Sequence, residues 1–153
     1  MASLRQWHQA VGEKRFIERE DAGRDDLIAL RSTLIAEEVQ EALEALLNYR
    51  KAQIMDDHFE ANQDMLLSRK HVVEAPHWYE ALAKELADVL YVVYGTADLL
   101  EIPLEAIFAE VHRSNMSKVG PNGQVIRRED GKILKPDTYR EADVHGALTG
   151  EWV

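Results

Sequence analysis

Apolar residues recur at three- and four-residue intervals through most of the first 116 positions, the spacing that lines one face of an α-helix. Leu27, Leu30, Leu34, Val39, Leu43 and Leu46 predict a long helix, which Asp25 or Asp26 can cap and which runs to about Arg50. A short helix over 3–11, stopped at Gly12, and a polar loop over 13–23 precede it. Residues 51–75 are mixed: Ile54, Phe59, Met65 and Leu66 favour helix, and the polar residues around Asn62 weaken it. Pro76 suits the first turn of a helix reaching about Leu100, and Pro103 opens another to about Met116. Past Gly120 the period changes. Residues 125–129, an Asp130-Gly131 turn and residues 132–135 predict a small β-hairpin, followed by Tyr139 and a short helix. The expected class is all-α with a small C-terminal hairpin appendage, and a length of 153 suggests one domain over 1–153.

The helix from Trp78 to Leu100 is apolar over much of its circumference, and Leu104, Ile107, Phe108 and Val111 add a second stripe. One chain of this size offers few further helices to cover both. A helical bundle completed by oligomerisation is the natural solution, with the active site near the subunit interface.

Two of the predicted helices carry acidic clusters on otherwise apolar ground. The first is Glu37-Glu38-x-x-Glu41, set among Leu34, Ile35, Val39 and Leu43. The second is Glu85-x-x-Asp88, set among Leu86, Val89, Leu90 and Val93. Positions three and four apart share a helix face, so within each cluster the carboxylates are neighbours. If the helices pack together, Glu37, Glu38, Glu41, Glu85 and Asp88 converge, and such a group repels itself unless a cation fills it; a hard divalent ion suits oxygen donors best. The plain alternative is two solvated faces, since Glu is a good helix former. Glu44 falls on the same stripe and reads as its solvated continuation.

Composition narrows the partners. Charge is 18 − 28 = −10, which argues against binding a nucleic acid duplex but not against a small phosphorylated ligand with a local basic patch. There is no cysteine, no apolar run long enough for a membrane span and no secretory pattern at the N-terminus, which together favour a cytoplasmic protein. The six histidines form no HExxH, Glu74 to His77 is the one ExxH, and no GxxxxGKS/T loop occurs. Zinc-protease, di-iron and P-loop chemistries are set aside on these grounds.

EExxE followed by ExxD resembles the signature of the all-α nucleoside triphosphate pyrophosphohydrolases, which include the MazG proteins, the dimeric dUTPases, the dCTP pyrophosphatases and phosphoribosyl-ATP pyrophosphohydrolase. ELADVLYVVYG, EVHRSNMSK (110–118) and DGKILKP (130–136), then Tyr139 and Ala142-Asp143, are similar to the MazG-like, dUTP-hydrolysing bacterial members, and WHQAVG is similar to their first helix. The two acidic clusters stand 85 − 41 = 44 residues apart, a long interval. The resemblance implies cleavage between the α and β phosphates, giving a nucleoside monophosphate and pyrophosphate with Mg²⁺ or Mn²⁺. It implies dUTP as substrate, with phosphoribosyl-ATP as the alternative, and homodimers or homotetramers. A non-catalytic helical oligomerisation module is the rival from another class. Glu38, Glu41, Glu85 and Asp88 would hold metal, and Glu37 would polarise the attacking water or hold a further ion. Arg113, Asn115, Lys118, Lys135 and Tyr139 would bind substrate. Arg113, Asn115 and Lys118 can equally complement a helix C-terminus, and Lys135 can equally be a solvated hairpin residue. Trp7, His8, Tyr91 and Tyr94 read first as packing residues, with Trp7 and His8 also able to border a base.

Overall fold

A computed structural model describes the backbone of residues 2–62 and 65–152 and the side chains of residues 4–55, 57 and 77–152. Among the described residues the secondary structure is helical, with no sheet: α1 (Ala2–Ala10), a 3₁₀ turn (Phe16–Glu18), α2 (Asp21–Asn62), α3 (Met65–Leu99), α4 (Leu104–Met116) and α5 (Val144–Thr149). The all-α reading of the sequence is therefore correct. The chain divides into two compact units, residues 1–100 and 101–153.

The first unit is built on α2 and α3, which pack against each other, with α1 against α3. Both long helices exceed their expected bounds. α2 starts at Asp21 rather than after Asp25 and continues past Arg50 to Asn62, because KAQIMDDHFEA is made largely of good helix formers. α3 starts at Met65, so Pro76 lies inside the helix instead of opening it. Leu, Met, Arg, Lys and Glu ahead of it sustain the helix, and the imino acid removes one N–H from the ladder. The side chains of Phe59, Met65 and Leu66 lie outside the described residues.

Leu27 and Leu99 are fully buried, joined by Leu4, Ala45, Leu82, Val92 and Ala97. Several positions expected in the core are exposed in the single chain. Leu43 is 57% accessible, Leu86 53% and Leu90 58%, and Leu30, Val39 and Leu46 are exposed as well. Two helices meeting along one seam each bury a single stripe, and these residues fall outside it. The N-terminal helix is tied by polar contacts. Buried Asp98 accepts hydrogen bonds from His8 Nδ1 at 2.9 Å and from Arg5 Nε at 3.2 Å. Burial alone would raise its pKa, but these two partners outweigh it and hold the carboxyl below its usual value.

In the second unit Pro103 precedes α4 as its N-cap. Glu110, on the buried side of α4, accepts a fork from Arg113, Nη2 to Oε1 at 2.6 Å and Nε to Oε2 at 2.8 Å. It also accepts from the Asp143 backbone N–H at 2.7 Å, fastening the start of α5 to α4. Ser114 Oγ donates to the Arg140 carbonyl at 2.8 Å. The expected hairpin is reduced to an Asp130-Gly131 turn, with Gly131 at φ 84°, and one antiparallel bridge, Arg127 to Ile133. Ile126 stays 57% exposed, and a two-stranded ribbon without a packed face does not extend its ladder.

The Arg113 fork, then the Asp143 N–H, depress the Glu110 pKa from 4.5 to about 2. A depressed carboxylate contributes stability that is complete above its unfolded pKa and is lost as pH falls through the folded one. Glu110→Gln is therefore expected to melt below wild type at pH 7, with the gap narrowing from about pH 4.5 and closing near pH 2. Urea titration followed by tryptophan fluorescence at pH 7 and pH 3 measures it, and an equal gap at both pH values contradicts the assignment.

Candidate metal centre

The register of α2 on α3 decides which acids meet. Near the start of α2, Arg31 donates from Nη2 to the Val92 carbonyl at 2.7 Å and from Nε to Thr96 Oγ1 at 2.9 Å. Eighteen residues on, the Tyr49 ring lies 5.9 Å from the Tyr79 ring. As the number rises on α2 it falls on α3, so the helices run antiparallel. Midway between these two contacts, the turn holding Glu38 and Glu41 meets the turn holding Glu85 and Asp88. Glu38, Glu41 and Glu85 each present a carboxylate oxygen within 4.8 Å of the other two. In an antiparallel pair the chain length between clusters can vary freely, because both helices lengthen together. The 44-residue interval is accommodated in this way by the extension of α2 to Asn62 and of α3 back to Met65.

The electrostatics follow from that crowding. Burial raises the Glu38 pKa above 4.5, and repulsion from Glu41, Asp88 and Glu85 adds to it, with Lys84 opposing. Lys84 supplies the local cation: its Nζ lies 2.6 Å from Asp88 Oδ2 and 3.1 Å from Glu85 Oε1. Its own pKa is pushed up by the hydrogen bond to Asp88 and then by that to Glu85. Glu85 Oε2 is buried with no hydrogen-bond partner among the described residues. An orphaned buried oxygen is costly unless something fills it. Three mutually repelling carboxylates with one oxygen left over are a donor set that fits a hard divalent ion.

The predicted site residues divide. Glu38, Glu41 and Glu85 come together, and Asp88 adjoins them through Lys84. Glu37 is exposed and stands outside the three-carboxylate group. Glu44 is also exposed and accepts from Gln40, as a solvated continuation of the stripe would. In the second unit Arg113 is engaged by Glu110 and by the Glu141 carbonyl at 2.9 Å. Asn115 Oδ1 accepts from Lys118 Nζ at 2.7 Å. Lys118 and Lys135 share one ring, with their Nζ atoms 6.0 Å and 4.2 Å from the centre of Tyr139. The Tyr139 hydroxyl is held below its usual pKa by a hydrogen bond with Ser114, then by Lys135, against the opposing effect of burial. Lys84 was not singled out from sequence, although its spacing of four from Asp88 puts it on the same helix face. Glu110 lies within the EVHRSNMSK motif, and its spacing of three from Arg113 is the one sequence signal of their fork.

Among the described residues no helix is long and apolar enough to cross a membrane. No curated protein matches the chain. A sequence family described as phosphoribosyl-ATP pyrophosphohydrolase matches residues 4–115, a span holding all five signature acids. The chain thus belongs to the phosphoribosyl-ATP pyrophosphohydrolase family, within the all-α nucleoside triphosphate pyrophosphohydrolases that its signature resembles.

Proposed function

We propose that this nucleotide pyrophosphohydrolase cleaves the bond between the α and β phosphates of phosphoribosyl-ATP, releasing phosphoribosyl-AMP and pyrophosphate. The observation that carries the reading is the convergence of Glu38, Glu41 and Glu85 within 4.8 Å, inside the segment the family matches. That match favours phosphoribosyl-ATP over dUTP, the substrate expected from sequence. A dUTP reading stands second: DGKILKP, from Asp130 to Pro136, lies beyond the matched residues and is similar to the dUTP-hydrolysing members.

Glu38, Glu41, Glu85 and Asp88 are the residues to hold Mg²⁺, with Mn²⁺ as a substitute. When bound, the ion neutralises phosphate oxygens and provides Lewis acidity, without which a triphosphate cannot approach these acids. Glu37 projects about 100° around the helix from Glu38. A free carboxylate there can take a proton from the attacking water while its neighbour ligates. Lys118 and Lys135 are the ammonium groups for phosphate oxygens, with Asn115 holding Lys118 and Tyr139 holding both. Arg113 supports them by fixing α4 to α5 through Glu110. The exposed leucines of α2 and α3 favour a homodimer or homotetramer. The cysteine-free composition supports a cytoplasmic setting.

Metal binding has a readout apart from turnover. A raised carboxylate pKa means stability that is present below the unfolded value and is lost as pH rises through the folded one. At pH 7 without metal, Glu38→Gln is therefore expected to melt above wild type. Millimolar Mg²⁺ should then stabilise wild type but not Glu38→Gln or Glu85→Gln, both of which lose turnover by orders of magnitude. A wild type indifferent to Mg²⁺ would return the acids to solvated faces.

Product chromatography on phosphoribosyl-ATP, dUTP and other triphosphates tests the reaction and its substrate together. A monophosphate with pyrophosphate is expected, fastest from phosphoribosyl-ATP. A nucleoside diphosphate with orthophosphate would contradict the bond assignment, and faster dUTP cleavage would select the second reading.

Light scattering at micromolar protein should give at least twice the 17.5 kDa chain mass. A fully active species of single-chain mass would refute the assembly.

A further inference from the structure

Among the described residues, Lys84 is the one basic side chain ion-paired with the signature acids. Its Nζ stands 2.6 Å from Asp88 Oδ2 and 3.1 Å from Glu85 Oε1, on two of the carboxylates assigned to the metal. An ammonium and a divalent cation seek the same oxygen lone pairs and repel each other at such range, so the two cannot share them. Little else fixes the ammonium there. The Lys84 side chain is 65% accessible, and these two carboxylates are its partners among the described residues. A flexible four-carbon stem on an exposed helix face can turn away without opening the core. The sequence also provides a second place for it. On α3, Glu80 is four residues before Lys84 and Asp88 four after, so one stripe of the helix runs carboxylate, ammonium, carboxylate. Glu80 is exposed, and among the described residues nothing engages its carboxylate. A glutamate four residues N-terminal to a lysine is the stronger of the two orders on a helix. The structure nevertheless pairs Lys84 forward, with Asp88. The reason lies across the seam: Glu38, Glu41 and Glu85 crowd within 4.8 Å, and the nearest cation is drawn to them.

We propose that Lys84 is a tethered counter-ion that sits on Glu85 and Asp88 until the divalent ion loads, and then turns back along the helix to Glu80. The proposal rests on the metal reading of the carboxylates. Before loading, the ammonium holds Asp88 beside the cluster and offsets part of its repulsion, so the acids stay assembled on paired helices. Loading removes the demand that drew Lys84 forward, and the local preference for Glu80 takes over. Competition between the tethered and the free cation then lowers the affinity of the site for metal. Lys84 is thus a positioning residue for the acids and sets the metal concentration at which the site fills.

The test is calorimetric titration of the whole, chelator-treated protein with Mn²⁺, without nucleotide and at fixed ionic strength. Lys84→Met keeps a good helix former at an exposed position, so the fold should persist. Its Mn²⁺ affinity is expected to rise about fivefold, the scale of one part-exposed ion pair. Lys84→Arg keeps the charge and should stay much closer to wild type than Lys84→Met. Without metal, Lys84→Met should melt below wild type, and saturating Mn²⁺ should close that gap. Glu80→Gln should weaken Mn²⁺ binding about twofold in the wild-type background and leave it unchanged in the Lys84→Met background. Unchanged affinity in Lys84→Met would make Lys84 a solvated bystander, and weaker binding would make it a support of the loaded site; either result overturns the proposal. An equal loss from Glu80→Gln in both backgrounds would reduce Glu80 to long-range attraction and remove the turn toward it. In all these cases wild type still binds Mn²⁺ and the metal reading stands. A wild type that takes up no Mn²⁺ would overturn the metal reading itself and this proposal with it.

Discussion

Repulsion between carboxylates is the constraint on which the rest of the first unit turns. Glu38, Glu41 and Glu85 sit closer than solvated acids choose to sit, and no local propensity puts them there. The helix pairing does, locked by Arg31 against Val92 and Thr96 at one end and by the Tyr49–Tyr79 contact at the other. One turn of slippage on either helix would carry Glu85 past Glu38. Long helices suit this role because a register error at the site would have to propagate along many turns of side-chain packing. Lys84 relieves part of the repulsion and keeps Asp88 beside the group. Glu85 Oε2 stays unmatched, so the pairing leaves a demand for positive charge that one ammonium does not meet.

The same pairing accounts for the apolar surface. A two-helix seam covers one stripe of each helix, and α1 adds partial cover at one end, where Leu27, Leu99 and Leu4 are buried. Farther along, Leu43, Leu47, Leu86 and Leu90 flank the acidic turns with half or more of their surface exposed. The carboxylate cluster and an uncovered apolar margin therefore fall on the same stretch of helix. A second copy laid over that margin would dry the surroundings of the carboxylates as well as bury the leucines. The second unit uses another device. Glu110 gathers Arg113 and the Asp143 N–H on one buried carboxylate, and Ser114 holds the segment before α5. Most of the polar chain between α4 and α5 is thus ordered from its two ends, and Lys118, Lys135 and Tyr139 are brought together there without a sheet.

What could be read in advance follows from the range of the interactions involved. Helical periodicity is a local property, and the class, the start of α4 at Pro103 and the end of α1 near Gly12 were legible from neighbours in the chain. The acidic face of each long helix was legible for the same reason, because spacings of three and four map directly onto a helix surface. Helix ends in the middle of the chain were not. Polar residues near Asn62 and the proline at 76 resemble boundaries, yet the flanking helix formers outweigh them. The hairpin was overdrawn because Asp130-Gly131 specifies a turn, whereas a ladder needs a surface to pack on, and Ile126 finds none within the second unit.

By itself the sequence determined a helical chain, two carboxylate faces of defined spacing, a surplus of apolar stripe and a family signature, since each is set by residues within a few turns of one another. Tertiary structure decided the rest. It chose which three acids share a centre and left Glu37 outside it. It set Asp98 against Arg5 and His8, held Arg113 to the Glu141 carbonyl, and turned His8, Arg31 and Gly95 into one cavity wall. These outcomes depend on the register of one helix on another and on contacts spanning 28 to 93 residues of chain. Contact energies at such separations depend on geometry that packing alone supplies.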